Sequence, residues 1–385
     1  MKIAEAMFSL ISLALTNKPV DGEILNGIDE NALASLYELS NKHDLSHIIA
    51  EVLTTLGIKA EGEVAKKLER KHLIAIYRYE QIIYETERIK EVLEAAEIPF
   101  ILLKGAKIRE YYPQPFMRTS CDIDVLVNEK DLKKATLVLQ NSLLYTTNNE
   151  IKYHDVSLYS KSGVHIELHH SIRENIDNMD KVLSLVWENS YPVSSGSYQY
   201  EQSVEYLYFH AVAHMAYHFL AGGCGVRSFL DLYLLNKKEM DTEKREALLT
   251  EAGLLQFEKK ALRLASVWLD GVAHTESTSL MEEYILFGGA YGTFDGKVKV
   301  NQAKKGSRIG YILSRIWLPY KSMKRLYPIL DGHKWLTPFY QVRRWFGLLL
   351  SDKRKRGRLE LKKSADITRK ENERMSRLLK ELGLI

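Results

Sequence analysis

Cysteine is nearly absent: the 385-residue chain holds only Cys121 and Cys224. Two thiols cannot build a disulfide framework, and their separation excludes a clustered structural zinc site. A reducing, cytoplasmic compartment is the expectation. No uninterrupted apolar run of about 18 to 20 residues occurs, so no segment is expected to span a membrane. The N-terminal stretch MKIAEAMFSLISLALTNKPV has a lysine and an apolar run. Glu5 interrupts that run and no small-x-small cleavage signature follows, so it reads as an amphipathic helix rather than a signal peptide. Low-complexity tracts and fixed-period repeats are also lacking. With 45% hydrophobic and 27% charged residues, the composition suits a folded protein of two or three packed units.

The formal charge of +4 conceals a division. Residues 301–385 hold 22 Lys and Arg against 7 Asp and Glu, whereas residues 1–300 hold 32 against 43. Within the basic part, KWLTPFYQVRRWFGLLL interleaves Trp335, Phe339, Trp345 and Phe346 with Arg343 and Arg344, and KRKRGR follows at 353–358. Such a segment can be a solvated basic surface over a buried aromatic core, or it can meet an anionic membrane surface, an acidic partner or a nucleic acid. Among the ligands, the membrane surface is preferred to nucleic acid, which would make the protein cytoplasmic and peripheral at the membrane.

Periodicity divides the chain. Residues 1–96 repeat apolar positions every three or four residues and predict helices. IPFILL at 98–103 is a short continuous apolar run, as in a buried strand. A short helix to Tyr112, a loop with Pro113 and Pro115, a strand at 122–127 and a helix at about 131–140 follow. YHDVSLYS and VHIELHH, separated by Lys161-Ser162-Gly163, predict a hairpin. Beyond about Glu201 the pattern is helical, with helices fitting 203–220, 226–236 and 242–252. The expected fold is α+β: a small mixed sheet at 97–200, a helical N-terminal region at 1–96, a helical domain at 201–300 facing a cleft, and a basic helical tail at 301–385.

The chemistry concentrates in Cys121-Asp122-Ile123-Asp124-Val125-Leu126-Val127. Period-two geometry puts Asp122 and Asp124 on one face and Ile123, Val125 and Val127 on the other. Glu167 of VHIELHH shares a face with His165 and His169 and can supply a third carboxylate. Side-by-side carboxylates repel and are costly to bury unless a cation compensates, and a hard divalent ion such as Mg2+ or Mn2+ is the natural counter-charge. Three oxygen ligands can hold two ions roughly 3.5 to 4 Å apart, the arrangement used in phosphoryl and nucleotidyl transfer. Upstream, Lys104 and Gly105 end a strand where a helix begins, a place where free backbone N–H groups favour phosphate oxygens. Lys104 can reach a phosphate as a point charge and Arg118 can clamp one bidentately, with Ser120 beside it.

Three motifs, LLKG at 102–105, R-x-x-x-DIDVLV from Arg118, and VHIELHH at 164–170, resemble uncharacterised bacterial nucleotidyltransferases of the DNA polymerase β-like superfamily. The resemblance runs over about residues 30–300 and includes HAVAHMAYHF and the Arg227–Asp231 segment. It implies transfer of a nucleoside monophosphate from an NTP to an acceptor hydroxyl or phosphate, with release of pyrophosphate. It also implies roles for Gly105, Asp122, Asp124 and Glu167. Ala106 stands where the wider superfamily often has a phosphate-contacting serine. The rival reading is a non-catalytic nucleotide-binding or regulatory module that recruits a partner through the basic tail.

His210, His214 and His218 recur every four residues on one helix face, a spacing able to bind a transition metal, to pack, or to line the cleft. His169 shares that ambiguity. Arg227 and Asp231, four apart, can form an intrahelical ion pair or line the cleft. No Gly-x-Ser-x-Gly elbow occurs and neither cysteine sits in a nucleophile setting, so serine and cysteine hydrolysis are set aside.

Overall fold

In a computed structural model, described over residues 3–58, 61–151, 155–350 and 353–385, the chain forms one seven-stranded mixed sheet among helices. The α+β expectation holds. The strands are β1 (Phe100–Leu102), β2 (Asp122–Val127), β3 (Thr146–Ile151), β4 (Asp155–Tyr159), β5 (His165–His169), β6 (Ser190–Pro192) and β7 (Gln199–Gln202), in the order β3-β4-β5-β2-β1-β7-β6. β2 is central, antiparallel to β1 and parallel to β5.

The expected hairpin is β4–β5, paired antiparallel. Its turn needs Gly163, whose φ is +84° and whose amide donates to the Ser160 carbonyl at 3.1 Å. Tyr153 and His154, at the head of the predicted first strand, lie outside the described residues. β3, β6 and β7 were not announced by any apolar run. β3 and β6 are the edges of the sheet and β7 lies next to the edge, where polar strands are common.

The helix expected up to Tyr112 is a single α turn, Gly105–Ile108, continued as a 3-10 turn, Arg109–Tyr111. Tyr112 precedes Pro113 and is already extended, with φ −81° and ψ 146°, because a proline disfavours helical backbone before it.

The two faces of β2 meet different cores. Ile123, Val125 and Val127 pack with Ile166 and Leu168 beneath the helices Gly62–Ala95 and Leu132–Leu143. On the opposite face Leu126 joins Ile101 in a larger core that extends from Met7 to Leu382 and surrounds the helix Val204–Ala221. Asp122 and Asp124 therefore lie where this second face opens. The N-terminal segment forms the helix Ile3–Thr16, which packs its apolar face into that core with Glu5 outside, and Phe8 stacks on Trp268 at 4.3 Å. No described helix is long and apolar enough to cross a membrane.

Three tail aromatics, for which a buried core was one reading, are on the outside: Trp335, Phe339 and Phe346. Trp345 is half-buried, its indole donating to the Ile316 carbonyl at 2.8 Å. Of the run at 353–358, the side chains of Lys353, Arg354 and Arg356 lie outside the described residues.

A buried carboxylate fixes the hairpin. Glu85, in the long helix, accepts from the Tyr145 hydroxyl at 2.6 Å and the Ser162 hydroxyl at 3.0 Å, and pairs with Arg88 at 3.1 Å. It thus ties the β4–β5 turn and the entry to β3 to the same helix. Tyr145→Phe removes one donor from a buried charged acceptor and is expected to destabilise the fold by about 1–3 kcal/mol, read as a lower urea midpoint. An unchanged midpoint would show that the tie carries no stability.

Candidate functional site

β2 and β5 are in parallel register with Asp122 opposite His165 and Asp124 opposite Glu167. Residues in register share a face, so the carboxylates and imidazoles line one side of the sheet. One ligand atom each from Asp122, His165 and Glu167 lie within 4.8 Å of one another, as do one each from Asp124, Glu167 and His169. Glu167 belongs to both groups. The three carboxylates expected from the sequence are brought together.

Their electrostatics differ. Burial, then the charge of Asp124, pushes the carboxyl pKa values of Asp122 and Glu167 up. Burial acts on Asp124 in the same direction, but the His169 hydrogen bond and the Lys104 charge outweigh it and hold Asp124 well below the ordinary range. His169 Nε2 sits 2.8 Å from Asp124 Oδ1. One acid is therefore firmly ionised and two others gain from a neighbouring cation, the condition under which a divalent ion binds. An oxygen-rich donor set with imidazole at either end suits Mg2+ and suits Mn2+ as well.

These groups line a cleft of about 550 Å³ that also contains Lys104, Gly105, Arg118, Ser120, His214, Arg227 and Asp231. All the candidate site residues meet there, although several do so in unexpected partnerships. Arg118 is buried, and its Nε and Nη2 donate to the two carboxylate oxygens of Asp231 at 2.9 and 2.8 Å. The Tyr112 hydroxyl donates to the same carboxylate at 2.7 Å. The bidentate fork expected for phosphate is thus committed to Asp231, and Nη1, 3.5 Å from the Gly105 carbonyl, is the end turned to the cleft.

Of the two readings of Arg227 and Asp231, the intrahelical pair does not form and both line the cleft. Asp231 turns to Arg118, and Arg227 Nη1 instead donates to the Thr119 carbonyl at 2.7 Å, with Asp44 at 4.0 Å. Two partners from outside the helix offer each group more than a solvent-facing i,i+4 neighbour could.

Gly105 has a steric reason. A Cβ there would lie 3.3 Å from Arg118 Nη1 and 3.9 Å from the Ser120 Cβ. The amide cradle expected at this point narrows, since the N–H groups of Ala106 and Lys107 donate within the turn to Leu103 and Lys104 carbonyls. The Ser120 hydroxyl accepts from Arg109 Nη2 at 2.6 Å, which leaves its own proton to donate.

The histidine stripe separates into roles. His210 is fully buried against Gln202, 3.1 Å away, and belongs to the packing. His214 reaches the cleft: its Nδ1 lies 3.0 Å from Lys104 Nζ and 3.1 Å from Glu174 Oε1. Burial and the Lys104 charge push its pKa well below the usual value, so the ring is neutral. A neutral Nδ1 either accepts from Lys104 or donates to Glu174, and the tautomer of His214 decides which. His218 meets the His214 ring edge-on at 4.3 Å.

Three cleft or near-cleft acids were missed. Asp155 on β4 is the register partner of His169 and lines the cleft; alternation along DVSLY would have placed it with the ligand face. Glu174 and Asp44 come from loops with no periodic signal, and only the folded chain brings them in.

A family model described as an uncharacterised nucleotidyltransferase matches residues 29–270. No curated protein and no solved structure matches the chain.

Removing Asp231 leaves a buried guanidinium without its counter-charge, so Asp231→Ala is expected to cost about 3–5 kcal/mol of stability in urea unfolding, with Arg118→Met recovering much of it. A loss below about 1 kcal/mol would mean the pair is no strut. The raised Asp122 gives a second expectation. Its contribution to stability is present below the ordinary carboxylate range and lost as pH rises through the folded value. In EDTA at about pH 7.5, Asp122→Asn should therefore melt several degrees above wild type, with the gap closing towards about pH 4. Added Mn2+ should raise the wild-type midpoint far more than the variant's. A variant no more stable than wild type in EDTA would remove the repulsion argument.

Proposed function

The chain belongs to the uncharacterised nucleotidyltransferase family, and from that premise we propose that it moves a nucleoside monophosphate from an NTP to an acceptor hydroxyl or phosphate. Asp122, Asp124 and Glu167 are the proposed metal-binding and catalytic acids. The observation that carries this reading is the register pairing of Asp124 with Glu167, which makes Glu167 the shared member of two ligand groups, one with Asp122 and one with Asp124, in the lining of a cleft.

Divalent ions held there, Mg2+ or Mn2+, would supply positive charge to the triphosphate and lower the pKa of the acceptor hydroxyl. Asp122 and Asp124 would hold such ions at the α-phosphate end of the nucleotide, and Glu167 would hold the acceptor side and take up the acceptor proton.

Lys104 and Arg118 Nη1 approach the triphosphate from the Gly105 side, and the Ser120 hydroxyl donates to a phosphate oxygen. These donors are preorganised by partners outside the reaction: Lys104 by His214, Arg118 by Asp231, Ser120 by Arg109. Fixed donors need little rearrangement as charge develops on the leaving pyrophosphate. His169 keeps Asp124 oriented and ionised. Glu174 and Arg227 border the remaining space, where the acceptor would bind.

The test uses each labelled NTP with Mg2+ or Mn2+ and a cell extract as acceptor source. Wild type is expected to label a target and release pyrophosphate, and Asp122→Asn with Asp124→Asn to lose this by at least about a thousandfold. Equal labelling by the double variant would refute the assignment. NTP binding without any labelling by wild type would favour the non-catalytic module.

A further inference from the structure

Among the described residues, 24 large hydrophobic side chains are exposed, and 10 of them fall between Ile309 and Phe346, a tenth of the chain. They are not scattered. On the helix Arg308–Ile316, Ile309, Leu313 and Ile316 lie at i, i+4 and i+7, one face, opposite the buried Tyr311. On the helix Thr337–Leu350 and the turn before it, Trp335, Phe339, Val342 and Phe346 form a second stripe by the same spacing. Ile309 is 73% exposed, Trp335 70% and Phe339 68%.

The two helices are fastened to each other by their other sides. Gln341 donates to the Leu318 carbonyl at 2.6 Å, Arg344 to the Arg315 carbonyl at 3.1 Å, and Trp345 to Ile316 at 2.8 Å. The polar and half-buried groups make the internal contacts, and the apolar stripes are left facing out. A monomeric soluble protein rarely exposes so much contiguous apolar surface without a use for it.

Charge identifies the occupant. From Arg308 to Arg344 there are eight Lys and Arg and a single acid, Asp331, which pairs with Lys324 at 2.6 Å. Arg308, Arg325, Lys334 and Arg343 make no ion pair among the described residues, and Arg343 lies over the Tyr327 and Tyr340 rings at 5.8 and 5.6 Å. A second copy of this face would bring like charges together. Nucleic acid would use the cations and aromatics, but Ile309, Leu313, Ile316, Leu326 and Ile329 have no base to stack on. Aliphatic and aromatic stripes beside unpaired cations fit the boundary between headgroups and acyl chains.

We propose that residues 308–346 dock the protein on an anionic lipid surface, with the Ile309 and Trp335 stripes inserted at the acyl boundary and the surrounding Lys and Arg against acidic headgroups. Lys321, on the helix Tyr320–Leu326, pairs with Asp177 of the helix Asp177–Leu183, which ties this segment to the rest of the chain. This inference does not depend on the transfer chemistry.

The experiment is flotation of the full chain with vesicles of phosphatidylcholine alone and of phosphatidylcholine containing about one third phosphatidylglycerol. Wild type is expected to float with the anionic vesicles and not with the neutral ones, with a blue shift of tryptophan emission. The triple variant Trp335→Ser, Phe339→Ser and Phe346→Ser changes exposed side chains only and should keep the wild-type melting midpoint while losing at least about tenfold in vesicle affinity. Arg308→Glu with Arg325→Glu should weaken binding similarly, and more so at low salt. Wild type that ignores both vesicle types, or a triple variant that binds as well as wild type, overturns the proposal. Self-association abolished by the triple variant, or binding to a nucleic acid probe but not to vesicles, assigns the surface to those partners and overturns it equally.

Discussion

Asp124 and Glu167 are register partners on adjacent parallel strands, and the repulsion between them is the constraint that organises the rest of the site. A strand pair gives such residues no freedom to diverge, since their Cα positions are set by the ladder and their faces by the pleat. Relief must come from outside the sheet. His169 supplies the larger part through its hydrogen bond to Asp124, and the Lys104 charge adds to it. The core on the far face, where Ile123, Val125, Ile166 and Leu168 interlock, is what holds the strands in place against the repulsion.

A second layer positions the cations. Arg118, Arg109 and Arg227 all approach the Asp122 end of β2, and three like charges there would disperse unless each were tied down. Asp231 takes Arg118, the Gly105 carbonyl and Ser120 take Arg109, and the Thr119 carbonyl takes Arg227. The basic side chains are therefore fixed by the fold, and their entropy is lost in folding. Asp231 and Thr119 matter to the site without facing a ligand themselves.

The parts legible in the sequence are those governed by period. Alternation placed Asp122, Asp124 and Glu167 on shared faces, and 3.6-residue repetition found the helices Val204–Ala221 and Val226–Asn236 nearly to their ends. What periodicity cannot express is which side chains from distant segments meet. The choice of Arg118 over Arg227 as partner of Asp231 follows from the helix Val226–Asn236 lying against the segment around Tyr112 and Arg118. Glu174 and Asp44 sit in loops where neighbouring residues follow no repeat. The polar strands β3 and β7 owe their strand character to pairing rather than to their own composition. β7, for instance, is secured by Glu94, which accepts the Tyr198 and Gln199 amides at 2.9 and 3.0 Å.

The distribution of burial also separates what the fold needs from what it carries. The core from Met7 to Leu382 takes in the N-terminal helices, the helix Val204–Ala221 and the last helix, Arg369–Glu381. Between them the segment 308–350 contributes few fully buried side chains, Tyr311, Met323, Leu330 and Gln341. A stretch of about forty residues retained chiefly to fill space would place its Ile, Leu, Trp and Phe inside, because each exposed one forgoes about 1.5–3 kcal/mol of burial. Here Met323 and Leu330 are inside with Tyr311 and Gln341, but ten large apolar side chains from Ile309 to Phe346 are outside. The outward apolar groups beside unpaired cations are the feature that the proposed lipid contact accounts for.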